Sequence, residues 1–240
     1  MSDARSEILA RVRHASRCLP EEEITLALSR LGNGPSATLP HPDMAISFLT
    51  NVLKNQGTIA IASNRSEAVT VIGKYLYEHH RSRKLVAGND ARLAALPWRD
   101  AGLLPRFGEA ESGELAALSY AVAGIAETGS IVTCTGRNNP AANNLLTEDH
   151  IVIVALDDLV ERYDTALEVL QTARPRGVNI ISGPSGTADI AMHMVHGAHG
   201  PRRWHVVLLG DVPADYVDQA RDLAGLSGKS QAEQLPDTGE

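Results

Sequence analysis

Cysteine is almost missing from this chain: its 240 residues hold only Cys18 and Cys134. Two thiols cannot build a disulfide framework. Nor can they hold an iron–sulfur cluster, which takes about four thiolate ligands, or a multi-cysteine tetrahedral zinc site. Aromatic residues are scarce, at 4%. The core must therefore come from Ala, Val, Ile and Leu, which suits a buried sheet covered by helices. No apolar run approaches the roughly 20 residues that cross a bilayer; the longest, such as 151–156 and 206–209, are strand-sized. No basic block accompanies the net charge of −7, which argues against nucleic acid as a partner. The opening MSDARSEILARVR mixes charges and has no apolar h-region. No secretory signal is expected, and the cytoplasm is the expected location. No G-x-G-x-x-G follows a predicted strand, so a classical dinucleotide site is unsupported. The expectation is a chain with no cofactor: no iron–sulfur cluster and no tightly bound flavin.

What remains is an ordinary globular composition, 43% hydrophobic and 21% charged, long enough for one substantial core. Residues 3–17 predict a helix with Ile8, Leu9 and Val12 on one stripe. The Gly- and Pro-rich segment 32–42 reads as a linker. Asp43 caps a second helix that stops at Gly57, residues 58–62 form a strand, and Ser63-Asn64 opens a helix running to about His80. A strand follows at 84–87. This β-α-β order predicts a mostly parallel α/β sheet with helices on both faces. The stretch LSYAVAGIAETGSIVTCT (118–135) holds two β-like runs around Glu-Thr-Gly, a hairpin or tight strand–turn–strand. A buried strand covers 151–155, Asp157 or Asp158 caps the next helix, and strands follow at 178–182 and 204–209. The expected division is an N-terminal helix and linker over 1–42, an α/β domain over 43–225 and a disordered polar tail over 226–240.

Two segments carry candidate chemistry. In AETGS (126–130), Glu127 is a carboxylate between two apolar runs. If the turn is buried, it could serve as general acid, general base or nucleophile; the other reading is a turn glutamate facing water. In SGPSGTAD (182–189), a small-residue loop follows a buried strand. Ligands of open α/β sheets gather at the carboxyl ends of strands. Gly183 and Gly186 would allow close backbone approach, while Ser185 and Thr187 offer hydroxyls. A helix starting near Thr187 would favour an anion, although Asp189 would then bring its own negative charge, and the other reading is a self-capped turn. His193, His196, His199 and His205 cluster without any known zinc spacing. Arg202 and Arg203 could meet an anionic substrate or form a solvated turn.

The strings AETGSIV (126–132), SGPSGTADI (182–190) and HGAHGPRRWHVVLLG (196–210), with the strand at 151–155, resemble the LUD domain family of the lactate-utilisation protein C type. The resemblance is best over the C-terminal half and looser over 44–113. It implies a three-layer, Rossmann-like fold related to sugar-phosphate isomerases and CoA transferases. It also implies membership of a bacterial system that oxidises L-lactate to pyruvate beside iron–sulfur partner proteins. The matching positions are Glu127, Thr128, Gly129, Gly183, Pro184, Ser185, Thr187, Asp189, Gly197, His199, Gly200 and Pro201. The expected site therefore has Glu127 as candidate catalytic residue, with Thr128, Gly129, Gly183, Ser185, Gly186, Thr187, Asp189 and His199 around a possible small carboxylate, at one end of the sheet. Two other readings stand beside this one: a stand-alone isomerase- or transferase-type enzyme using Glu127, and a metal-binding module using the histidines.

Overall fold

Short capped helices alternate with apolar strands along most of the chain. The computed structural model describes residues 4–16, 19–32, 34, 37–173, 175–188 and 194–228. The chain divides into residues 1–37 and 38–240. The first part holds two helices where the sequence predicts one: α1 (Ala4–Ala15) and α2 (Glu21–Leu31). The break falls before Pro20, and Glu21, Glu22 and Glu23 then suit the positive end of a new helix.

The second part opens with α3 (Met44–Lys54), whose first N–H groups are satisfied by Asp43: its Oδ1 accepts from Ala45 N at 2.8 Å and Ile46 N at 3.2 Å. Strand β1 (Thr58–Ala62) leads to α4 (Arg65–His80). Asn64 accepts from Glu67 N, and Glu67 reaches back to Ser63 N at 2.8 Å, a reciprocal cap. Then come β2 (Lys84–Ala87), the short α5 (Ala91–Ala94), β3 (Leu104–Phe107) and β4 (Ala116–Tyr120). Next follow β5 (Ala123–Ile125), β6 (Ser130–Thr135), α6 (Ala141–Leu145), β7 (Asp149–Ala155) and β8 (Leu159–Val160). The described chain closes with α7 (Tyr163–Ala173), β9 (Gly177–Ile181), β10 (Gly186–Ala188), β11 (Met194–His196), β12 (Arg203–Leu209) and α8 (Tyr216–Leu223).

Six strands form one wholly parallel sheet in the order β1-β12-β7-β4-β2-β3. Its middle strands, β7 and β12, are buried on both faces, which is why their sequences are nearly unbroken apolar runs. One face packs on α4 through Val69, Ile72 and Leu76. The other packs on α3 through Phe48, Leu49 and Val52, with α8 and a second sheet beside it. That second sheet, β8-β5-β6-β9, is where the sequence reading fell short. The chain changes sheets within two residues: Ala121 N still bonds Ile153 O in the first, and Val122 N bonds Val132 O in the second. The hairpin at Glu-Thr-Gly is β5–β6, and the apolar run before it is two strands rather than one. The chain packs on to at least Leu226; the rest of the expected tail, from residue 229, lies outside the described residues. Among the described residues no helix is long and apolar enough to cross a membrane.

Candidate ligand pocket

Two turns converge on the last turn of α3. Asn51 Nδ2 donates to Ala126 O at 2.8 Å, and Asn55 Nδ2 donates to Thr128 O at 2.7 Å. Gly129, at φ +65°, lies so close that a Cβ would overlap the Asn51 carbonyl carbon and the Val52 nitrogen. Gly183, at φ +124°, brings the second turn against Asn55, whose carbonyl oxygen would stand 2.5 Å from an added Cβ. Hydroxyls bridge the turns: Thr128 Oγ1 to Ser130 Oγ at 2.7 Å, and Ser130 Oγ to Ser182 Oγ at 2.5 Å. The two motif segments therefore meet, and their glycines are the means of approach. Gly129→Ala is expected to cost at least about 2 kcal/mol from the left-handed backbone and the overlap together; urea denaturation against the parent chain measures it.

Glu127 takes no part in a buried centre. Its Oε1 accepts from Tyr163 N at 2.6 Å, at the surface, and so caps α7 from 36 residues away. That corrects the expectation of a cap at Asp157 or Asp158, which lie in a 3₁₀ turn before β8. Of the two readings of the 183–189 loop, a helix starting near Thr187 is not what forms: Thr187 lies in β10, paired antiparallel with β11 through Val195. No helix N-terminus awaits an anion there. Asp189 and His193 lie outside the described residues.

Gly183 and Ser185 do line a pocket of about 170 Å³, together with His199, Asn144, His150 and Trp204; Glu127 and Thr128 are not among its lining residues. Ser185 N bonds Pro201 O at 2.8 Å, holding the 182–185 loop against the turn that precedes β12. The pocket sits at the amino ends of β7 and β12, not at the carboxyl end of the parallel sheet where ligands were expected. At the carboxyl end Asp90 binds Arg92 at 2.7 Å, and Arg92 lies over the Tyr120 ring at 4.0 Å.

His150 and Trp204 reach the pocket because they are register partners on adjacent parallel strands, so their side chains share a face. Both are buried, and among the described residues His150 Nδ1 and Trp204 Nε1 have no hydrogen-bond partner. Buried polar atoms normally find partners, so two orphans on residues that line one pocket mark a neighbourhood for a ligand or water. Burial alone pushes the His150 ring down to about 3, leaving it neutral at neutral pH. A buried polar chain stands behind it: His150 Nε2 to Ser119 Oγ at 3.1 Å, Ser119 Oγ to Asn144 Oδ1, and Asn144 Nδ2 to Thr133 Oγ1 at 3.1 Å.

One residue earlier on each strand, the alternation of a sheet sends the side chains to the α4 face. There Asp149 and Arg203 are register partners joined at 2.8 Å. Asp149 also accepts from Tyr75 Oη and His80 Nε2, each at 2.9 Å, and Arg203 reaches Glu148 at 2.8 Å. Burial raises the Asp149 carboxyl, but bonds from His80 and Arg203 outweigh it and hold the group below its ordinary value. Arg203 is thus neither a substrate arginine nor a solvated turn. His205 joins the same face, bonding Thr58 Oγ1 at 2.8 Å and stacking on Tyr75. His199 and His205 therefore lie on opposite sides of the sheet. Among the described residues no group of three His, Cys, Asp or Glu could hold a metal ion.

This is an α/β domain of Rossmann-like, three-layer build, with a parallel central sheet and a small pocket at its amino end. Its fold is like that of a DUF162 family protein from Deinococcus radiodurans, whose crystal structure covers 70% of this chain with a TM-score of 0.55 at 23% identity, over 96% of that chain. Residues 114–209, from β4 to β12, match the LUD domain. It is similar to lactate utilization protein C of Exiguobacterium sp., 31% identical over 58% of this chain and 66% of that protein. It is also similar to lactate utilization protein C of Macrococcus caseolyticus, 27% identical over 56% of this chain and 64% of that protein. The match thus spans just under two thirds of the length of these relatives.

Proposed function

We propose that the chain is a component of a system oxidising L-lactate to pyruvate, that it binds a small carboxylate beneath the 182–185 loop, and that it acts beside iron–sulfur partner proteins. One observation carries this reading: a pocket of about 170 Å³ lined by a buried histidine and a buried tryptophan whose ring nitrogens Nδ1 and Nε1 have no partner among the described residues. Such a volume suits a molecule of a few heavy atoms, and the orphan groups suit a polar one. Relatives named lactate utilization protein C support lactate as the metabolic context. The chain's two cysteines fit a division of labour in which other subunits carry the clusters. A Glu127-centred enzyme is less well supported, because that carboxylate is engaged at the start of α7.

The test is growth. A strain lacking the gene is expected to grow on glucose but not on L-lactate, and the wild-type chain to restore growth. Ser185→Trp, which fills the pocket, is expected to fold yet fail to restore it. Full growth from the filled-pocket variant would sink the pocket's role. Capture of the tagged chain under anaerobic conditions is expected to bring down iron–sulfur proteins and L-lactate oxidation activity; a preparation with neither would remove the partner claim.

A further inference from the structure

We propose that this pocket selects 2-hydroxy carboxylates over the matching 2-oxo and unsubstituted acids, with His150 Nδ1 accepting a hydrogen bond from the ligand's hydroxyl and the Trp204 indole N–H facing its carboxylate. The proposal rests on the carboxylate-pocket reading and adds a chemical selection to it.

The argument follows one proton along the buried chain. The Ser119 hydroxyl donates to Asn144 Oδ1, since Asn144 turns its amide nitrogen to Thr133 Oγ1. Ser119 Oγ, its own proton committed, meets His150 Nε2 as an acceptor. The proton of the imidazole is therefore on Nε2. A neutral imidazole carries one N–H, so Nδ1 is left as a bare lone pair. His150, which carries that lone pair, lines the same pocket as Trp204, whose unpartnered Nε1 can only donate. A 2-hydroxy acid answers both: its hydroxyl donates to Nδ1, and its carboxylate accepts from the indole. Ser185, and His199 at the exposed mouth, add further donors for the carboxylate. A 2-oxo acid offers only acceptors and would set a carbonyl lone pair against the lone pair of Nδ1. An unsubstituted acid leaves Nδ1 as unpaired as before. A site built to bond a hydroxyl rejects analogues lacking it, because its own buried polar atom then goes unsatisfied. Ser119 is a positioning residue in this scheme: it touches no ligand and acts by fixing the histidine's tautomer.

The probes are L-lactate, pyruvate and propionate, titrated calorimetrically into the full chain at neutral pH. L-Lactate is expected to bind about tenfold or more tightly than either of the others. Ser119→Ala is expected to bring the three within about threefold, and Trp204→Phe to weaken all of them. Nitrogen NMR of the chain labelled at histidine is expected to show His150 protonated on Nε2 and bare on Nδ1, with L-lactate alone moving the Nδ1 resonance. A proton on Nδ1 in the free protein overturns the proposal even if Ser119→Ala fails to fold. Equal binding of the three acids removes the selection while the carboxylate pocket stands. Binding of none of them at millimolar concentration removes both.

Discussion

Between pH 7 and pH 5 the folded state is expected to lose about 4 kcal/mol, roughly 2 from each of two fully buried histidines. Burial presses the rings of His150 and His205 down to about 3, and for His205 the nearby His79 adds to the effect. The unfolded chain takes up protons as pH falls through about 6.5. The folded chain does not, so protonation favours unfolding; the stability present above that value drains away below it. Over this range the loss depends only on the folded values lying well below 5. Asp149 does not enter the window, because, against its burial, the bonds from His80 and Arg203 hold its carboxyl below the ordinary range of an aspartate. Urea denaturation at pH 7, 6 and 5 and constant ionic strength measures the slope. His205→Asn, which keeps an amide near the Thr58 hydroxyl, is expected to halve the loss. A wild-type stability that stays level over the range would refute the burial of both rings.

Removing Asp149 is expected to be the most damaging single change in the domain, at about 3–5 kcal/mol at pH 7 for Asp149→Ala. The carboxylate accepts from Tyr75, His80 and Arg203, and no part of it reaches solvent. Its loss leaves the largely buried Arg203 cation with only the partly exposed Glu148 as partner, and a buried charge robbed of its main partner costs far more than the pair contributes. Arg203→Met alone is expected to be harmful for the mirror reason. The double variant should recover much of the combined loss, because neither charge is then left alone. Unfolding curves of the three variants supply the cycle; a single cost below about 1 kcal/mol would mean that water reaches the pair.

The strands of the central sheet were legible wherever the chain runs apolar for the length of a strand, at 58–62, 84–87, 151–155 and 204–209. Of the second sheet, the hairpin at Glu-Thr-Gly and the strand at 178–182 were legible, but the separation of β5 from β4 and the strand β8 were not, because β5 has three residues and β8 two, too few for any periodicity to register. Gly183, Ser185 and His199 stood out as polar and small residues between strands, and they do line a pocket. The polar chain at its back was missed, since Ser119 stands alone in apolar sequence and Asn144 and His150 sit in short polar runs that carry no motif. One signal was available. Both central strands open on residues with polar groups, Asp149-His150 and Arg203-Trp204-His205, ahead of pure hydrocarbon. Alternation then sends Asp149 and Arg203 to one face and His150 and Trp204 to the other, and only pairing in register reveals that they meet. Glu127 misled for a physical reason: nothing near it in sequence says that Tyr163, far along the chain, needs a cap.

The pairing of β1 with β12 sets a schedule for synthesis. These are the first and last strands of the central sheet, and β1 bonds no other strand. The bond between Thr58 and His205 spans 147 residues. At about 5–20 residues per second, β1 waits roughly 7–30 s on the ribosome before its partner exists. During that time its backbone edge and the apolar face of α3 have only the growing chain to cover them. A stall before Leu209 would leave an exposed strand edge rather than a smaller finished domain, the kind of species that chaperones hold and proteases remove.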